Sequence, residues 1–68
     1  MSASGWVHLE DCAVLQTTAN AILIDYEGEE IWLPRSQVSE GEKYEMGDQG
    51  VTISASEWIC RQKGIDTD

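Results

Sequence analysis

Apolar positions in this chain recur mostly at every second residue, the spacing of half-buried strands. Residues 6–9 and 12–16 are two short apolar-rich runs separated by Glu10-Asp11, and both predict strands. Thr17-Thr18-Ala19-Asn20 is a turn cluster. Residues 21–26 carry the strongest strand pattern, rich in β-branched side chains. If Glu27-Gly28 forms a two-residue hairpin loop, Ile24 faces Ile31 and Ile22 faces Leu33 on one side of the sheet, while Leu23 and Trp32 pair on the other. A three-residue loop would instead oppose Ile24 with Glu30, so the pattern selects the shorter one. Pro34, which has no N–H to give a ladder, ends that strand, and residues 35–38 form a turn that tucks Val38 inward.

Residues 39–43 are polar loop. A second hairpin is predicted from 43–46 and 51–54 around Gly47-Asp48-Gln49-Gly50, which sets Met46 against Val51 and Tyr44 against Ile53. The period then changes. Ser54-Ala55-Ser56-Glu57 has capping-box spacing, and Ala55, Trp58 and Ile59 give an apolar stripe at helical spacing, so Trp58 is expected in the core. Arg61 and Lys63 suit the last turn, Gly64 stops the helix, and Ile65 is placed to close a Schellman contact. The prediction is an α+β domain: a small antiparallel sheet of four to five strands with one C-terminal helix. An OB- or SH3-like barrel plugged by the helix and an open sheet with the helix across it both satisfy the pattern.

Size makes this core marginal. A domain of 68 residues buries only about 60% of its unfolded surface, and residues 1–5 and 65–68 are expected to be flexible tails around a single unit. Thirteen acidic against four basic residues leave a net charge of −9. That balance argues against an ordinary nucleic-acid or anionic-membrane binder, where each phosphate contact usually needs a cation. With 41% hydrophobic residues the chain is still too apolar to be disordered. The longest aliphatic run, residues 21–24, is far short of a membrane span. No basic-plus-apolar signal segment opens the chain, so a soluble cytosolic protein is expected, and a monomer.

Candidate chemistry is sparse. Cys12 and Cys60 are the only cysteines, read first as reduced, buried small hydrophobes, with a single bridge between them as the alternative. His8 with these two offers three nitrogen or sulfur ligands where structural zinc takes four, so neither metal nor cofactor is expected. His8 alternates with Trp6 on a strand, which fits a surface or interface residue better than a catalytic base. Nothing marks a nucleophile elbow or a phosphate loop, and the chain reads as no enzyme.

The acids are more informative. Asp25, Glu27, Glu29 and Glu30 surround the first hairpin tip, and Glu40, Glu42, Glu45 and Asp48 populate the second connection. On a strand, residues i and i+2 project on one side about 6.7 Å apart, so such rows can present regularly spaced negative charge. One reading is solvated loops that keep a small protein soluble. The other is that the rows stand in for phosphates and occupy a basic channel on a partner protein. Trp32, flanked by acids, becomes an anchor facing an arginine-rich partner if it is exposed.

The stretch from Ala21 through Ile-Leu-Ile-Asp-Tyr-Glu-Gly-Glu-Glu-Ile-Trp-Leu-Pro-Arg-Ser-Gln to Val38 resembles a segment of small phage and prophage proteins of unassigned function. Some of these continue, as residues 56–64 do here, into a short Glu-Trp-…-Lys-Gly helix. The resemblance covers about two-thirds of the chain and implies phage origin, with no catalytic motif to carry over. By class, such short, acidic, cofactor-free phage proteins are similar to anti-CRISPR and anti-restriction inhibitors. The expected partner is therefore a host nucleic-acid-binding protein such as a CRISPR effector complex. A phage replication or recombination accessory module, or a weak OB-like single-strand binder, is the alternative.

Overall fold

The computed structural model describes residues 5–65; the expected tail positions 1–4 and 66–68 lie outside the described residues. The chain runs β1 (Trp6–Thr17), β2 (Ala21–Tyr26), β3 (Glu29–Pro34), two single 3-10 turns (Arg35–Gln37 and Gly41–Lys43), β4 (Val51–Ser56) and α1 (Glu57–Gln62). The strands form one open antiparallel sheet in the order β3-β2-β1-β4, which with the C-terminal helix makes an α+β fold. No helix among the described residues is long and apolar enough to cross a membrane.

The first two predicted strands are one. Residues 6–12 of β1 pair with β4, from Trp6 opposite Ser56 to Cys12 opposite Val51, and residues 13–17 pair with β2. Two register shifts, between Leu9 and Cys12 and between Val14 and Gln16, let a single strand serve both partners. Each places two consecutive exposed residues in the strand: Glu10-Asp11, with Asp11 at φ 60°, then Leu15-Gln16. An unbroken period of two would send Leu9 and Val14 to opposite faces. The extra residue of the first bulge resets the phase, so Leu9, Cys12 and Val14 all enter the core.

The β2–β3 hairpin has the predicted register throughout, with Ile24 opposite Ile31, Leu23 opposite Trp32 and Ile22 opposite Leu33. Its two loop residues, Glu27 and Gly28, both have positive φ (53° and 83°), as a type I′ turn requires.

The second predicted hairpin does not form. Lys43 ends a 3-10 turn, Met46 is 67% exposed, and β4 takes β1 as its partner instead of residues 43–46. Tyr44 nevertheless goes inward as a single inserted side chain whose hydroxyl donates to the Thr52 carbonyl at 3.1 Å. The glycine-rich turn docks on β1: the Val14 N–H donates to the Asp48 carbonyl (2.7 Å) and the Gly47 N–H to the Val14 carbonyl (2.9 Å).

Arg35 ties this long connection to the rest of the chain. Its Nε donates to the Thr18 carbonyl (3.0 Å), and one terminal nitrogen donates to the carbonyls of Gly41 (2.7 Å) and Tyr44 (3.4 Å). The chain packs so closely here that a Cβ on Gly41 would lie 2.5 Å from the Arg35 carbonyl oxygen. Val38 is buried as predicted and forms a single antiparallel bridge to Ala55, on the side of β4 away from β1.

The helix starts later than the capping-box spacing implied. Ala55 is a buried β4 residue, and Ser56 is the N-cap, its Oγ accepting from the Ile59 N–H at 3.1 Å. That shift rotates the apolar stripe: Ile59 and Cys60 are buried, and Trp58 is 59% exposed instead of lying in the core. The stop is the predicted one. Gly64 has φ 75°, its N–H reaches the Arg61 carbonyl, and the Ile65 N–H reaches the Cys60 carbonyl, the paired bonds of a Schellman motif. Ile65 therefore belongs to the core rather than to a tail, and Gly5 is likewise tied down, its carbonyl accepting from the Glu57 N–H.

Gly41→Ala should destabilise the protein by about 2 kcal/mol or more, the usual scale of overpacking where backbone cannot yield. Urea unfolding at neutral pH reads this directly, and an unchanged midpoint would mean the 39–50 connection is not held against Arg35.

Candidate functional site

The hairpin's alternation divides the first acidic group. Asp25 and Glu30 are directly opposed, on the same outward face as the Leu23–Trp32 pair beside them. Glu29 pairs with Tyr26 on the inner side, and Glu27 sits in the turn. The outward face of β2–β3 is therefore a small square: an apolar pair, Leu23 with a 40% exposed Trp32, next to an acidic pair, half-buried Asp25 with exposed Glu30. Directly opposed residues hold their Cβ atoms about 5 Å apart, and like charges at that separation destabilise a sheet. Ala13 of β1, opposite Asp25, adds a small neighbour on the same face. Leu23, paired with Trp32 in the sequence reading but not named as a site residue, is half-buried here.

The second group is arranged differently. Glu40, Glu42, Glu45 and Asp48 lie on turns, so they form no strand row at a regular repeat. Two of them have local tasks. Glu40, in the left-handed region at φ 53°, accepts from Lys43 Nζ at 2.9 Å, and Asp48 Oδ2 accepts from the Glu45 N–H at 3.0 Å. Both members of the Glu40–Lys43 pair are well exposed, so it contributes little to stability. Hydrogen bonding to Glu40, reinforced by charge, raises the Lys43 pKa.

Three of the four cations are engaged within the chain. Arg35 is bound to carbonyls, Lys43 faces Glu40, and Arg61 faces Glu57 across one helical turn at 3.4 Å. None lies on the Asp25–Glu30 face, and a basic stripe able to follow a phosphate backbone is not formed by the described residues.

Cys12 and Cys60 are buried, unbridged thiols. Burial, reinforced by Asp11, raises the Cys12 pKa from 9.0 to about 11; burial and then Glu57 raise that of Cys60. Protonated thiols are poor nucleophiles and poor metal ligands. No group of three His, Cys, Asp or Glu side chains among the described residues is placed to hold a metal ion. His8 is exposed, with Nδ1 2.7 Å from Ser54 Oγ on the β1–β4 surface. It borders a depression of about 370 Å³ that it shares with Glu10, Asp11, Tyr26 and Glu27. Another depression, about 610 Å³, lies at residues 35–43 and is lined by Arg35, Val38, Glu40, Gly41, Glu42 and Lys43, without His8 or either cysteine.

Neither a family model, a curated protein nor a solved structure matches the chain.

Two outcomes follow from this geometry. Glu30→Gln relieves the like-charge pair and should stabilise the fold by roughly 0.2–1 kcal/mol, less at high salt; a lower thermal midpoint at low salt would show that Glu30 has a favourable partner. The Cys12 thiol ionises in the unfolded chain before it does in the native one. Its contribution is therefore full below pH 9.0 and falls as pH rises toward about 11. Urea titrations on either side of that window should show the loss, and Cys12→Ala should flatten it.

Proposed function

We propose that the protein is a non-enzymatic, anti-CRISPR-like phage inhibitor that binds a basic nucleic-acid-binding surface of a host effector and blocks DNA access. The observation that carries this reading is the outward face of β2–β3. There two directly opposed acids, Asp25 and Glu30, adjoin an exposed tryptophan, in a chain of net charge −9. Asp25 and Glu30 oppose cationic side chains of the partner, and Trp32 supplies a flat apolar anchor on which an arginine can stack. Glu27 at the turn, with Glu29 behind the edge, extends the field around the hairpin tip. Glu40, Glu42 and Glu45 form a more dispersed second patch, and Asp48 serves its own turn first. The engagement of three of the four cations with acids or carbonyls of the same chain weighs against direct single-strand binding. Within the α+β class, an SH3-like curl of the sheet belongs to the same reading. The Val38–Ala55 bridge, which takes the chain from the end of β3 to the far side of β4, supports it.

The experiment is a DNA-binding competition, with purified CRISPR effector complexes and restriction enzymes from candidate hosts offered labelled target DNA in the presence of the protein. Inhibition should weaken as salt is raised, and the Asp25→Lys/Glu30→Lys double variant should lose about tenfold or more in potency while remaining folded. Folded variants that inhibit as well as the parent would remove the acidic-face mechanism.

A further inference from the structure

β3 is the edge of the sheet, and its ladder geometry fixes which backbone groups are free. In a two-residue hairpin the residues flanking the loop, Tyr26 and Glu29, form a hydrogen-bonded pair, and bonded and non-bonded pairs then alternate. The same parity reappears beyond the strand, where the Arg35 N–H donates to the Asn20 carbonyl at 2.8 Å. Ile31 and Leu33 therefore bond to β2, and the N–H and C=O groups of Glu30 and Trp32 point away from the sheet. Among the described residues no main-chain or side-chain group bonds to them there, and both residues are exposed. Pro34, whose missing N–H falls at the next outward position, closes the ladder at one end, and the turn closes it at the other.

We infer that this edge takes an extended basic segment of a partner protein as an added strand, paired with the backbone of Glu30 and Trp32. The inference rests on the proposed reading that the partner is basic, and adds how the two chains join. The side chains bordering the edge specify the occupant. On the outward face an added residue meets Glu30 or Trp32, and an arginine satisfies both, by ion pairing and by stacking. On the inward face it lies beside the buried Ile31 and Leu33, and a small apolar side chain is favoured there. The segment recognised is therefore a short extended run alternating basic and apolar residues. The same edge discourages pairing between copies, since Glu29 and Glu30 would meet a second chain of charge −9 and Pro34 shortens the ladder. A cationic strand removes the first obstacle and needs only the backbone between the turn and Pro34.

The test is amide hydrogen exchange by NMR on the whole protein, with a capped peptide of alternating Arg and Val as probe and an Asp-Val peptide as control. In the free protein the Glu30 and Trp32 amides should exchange quickly while those of Ile31 and Leu33 are protected. Saturating Arg-Val peptide should slow the first pair by about tenfold or more and leave the second pair unchanged. A chemically synthesised chain carrying an N-methyl amide at Trp32 keeps every charge and side chain, and should bind the peptide about tenfold more weakly. Salt-sensitive binding that leaves both amides exchanging freely overturns strand addition and leaves the acidic-face reading standing. Absence of peptide binding, with effector inhibition intact, overturns it equally. Loss of effector inhibition as well would remove the reading beneath it.

Discussion

One strand has to serve two partners, and the rest of the fold follows from how it does so. β1 gives its first half to β4 and its second half to β2, which is possible because two bulges bend it and restore its inward phase. Without the Glu10-Asp11 bulge, Leu9 and Val14 would point to opposite sides and the two halves would have separate cores, neither large enough for a domain of this size. Bending one strand instead gathers Leu9, Cys12, Val14, Ile22, Ile24, Leu33 and Ile53 into one cluster that Ile59, Cys60 and Ile65 cover.

That arrangement leaves the long connection between β3 and β4 to be held by something other than a ladder, and Arg35 does so. Its guanidinium collects carbonyls from the first turn and from the 41–44 segment, groups that a strand partner would otherwise satisfy. A chain with four cations thus uses one of them for structure, which sharpens the contrast with the β2–β3 face, where two carboxylates are opposed without one. The charge that holds the fold and the charge that faces outward thus lie in different places.

The sequence was most legible where structure is local. The hairpin register followed from four aliphatic positions and a two-residue Glu-Gly loop, and the helix stop followed from Gly64 and Ile65, because turn chemistry and period two act over a few residues. It was least legible where the partner is distant. Tyr44, Met46, Val51 and Ile53 alternate as a hairpin would, but β4 gains more by pairing with a strand from the opposite end of the chain. The capping frame was read from Ser54, whereas the cap is Ser56, and that difference of two residues turned Trp58 from core to surface. For the candidate face the residue types were readable, but Asp25 opposite Glu30 and Trp32 left uncovered depend on which elements pack elsewhere.

The pairing of Trp6 with Ser56 brings together residues 50 positions apart, whereas the β2–β3 hairpin closes over two. Loop-closure entropy grows with separation, so the hairpin is the cheapest element to nucleate and the β1–β4 ladder the most expensive. The ladder between the chain's ends therefore completes late, after the segment that carries the acidic face has closed. Substitutions at the hairpin tip and substitutions along Trp6–Leu9 should accordingly differ in kinetic signature: the first should act early in assembly, and the second should act mainly on the rate at which the finished sheet comes apart.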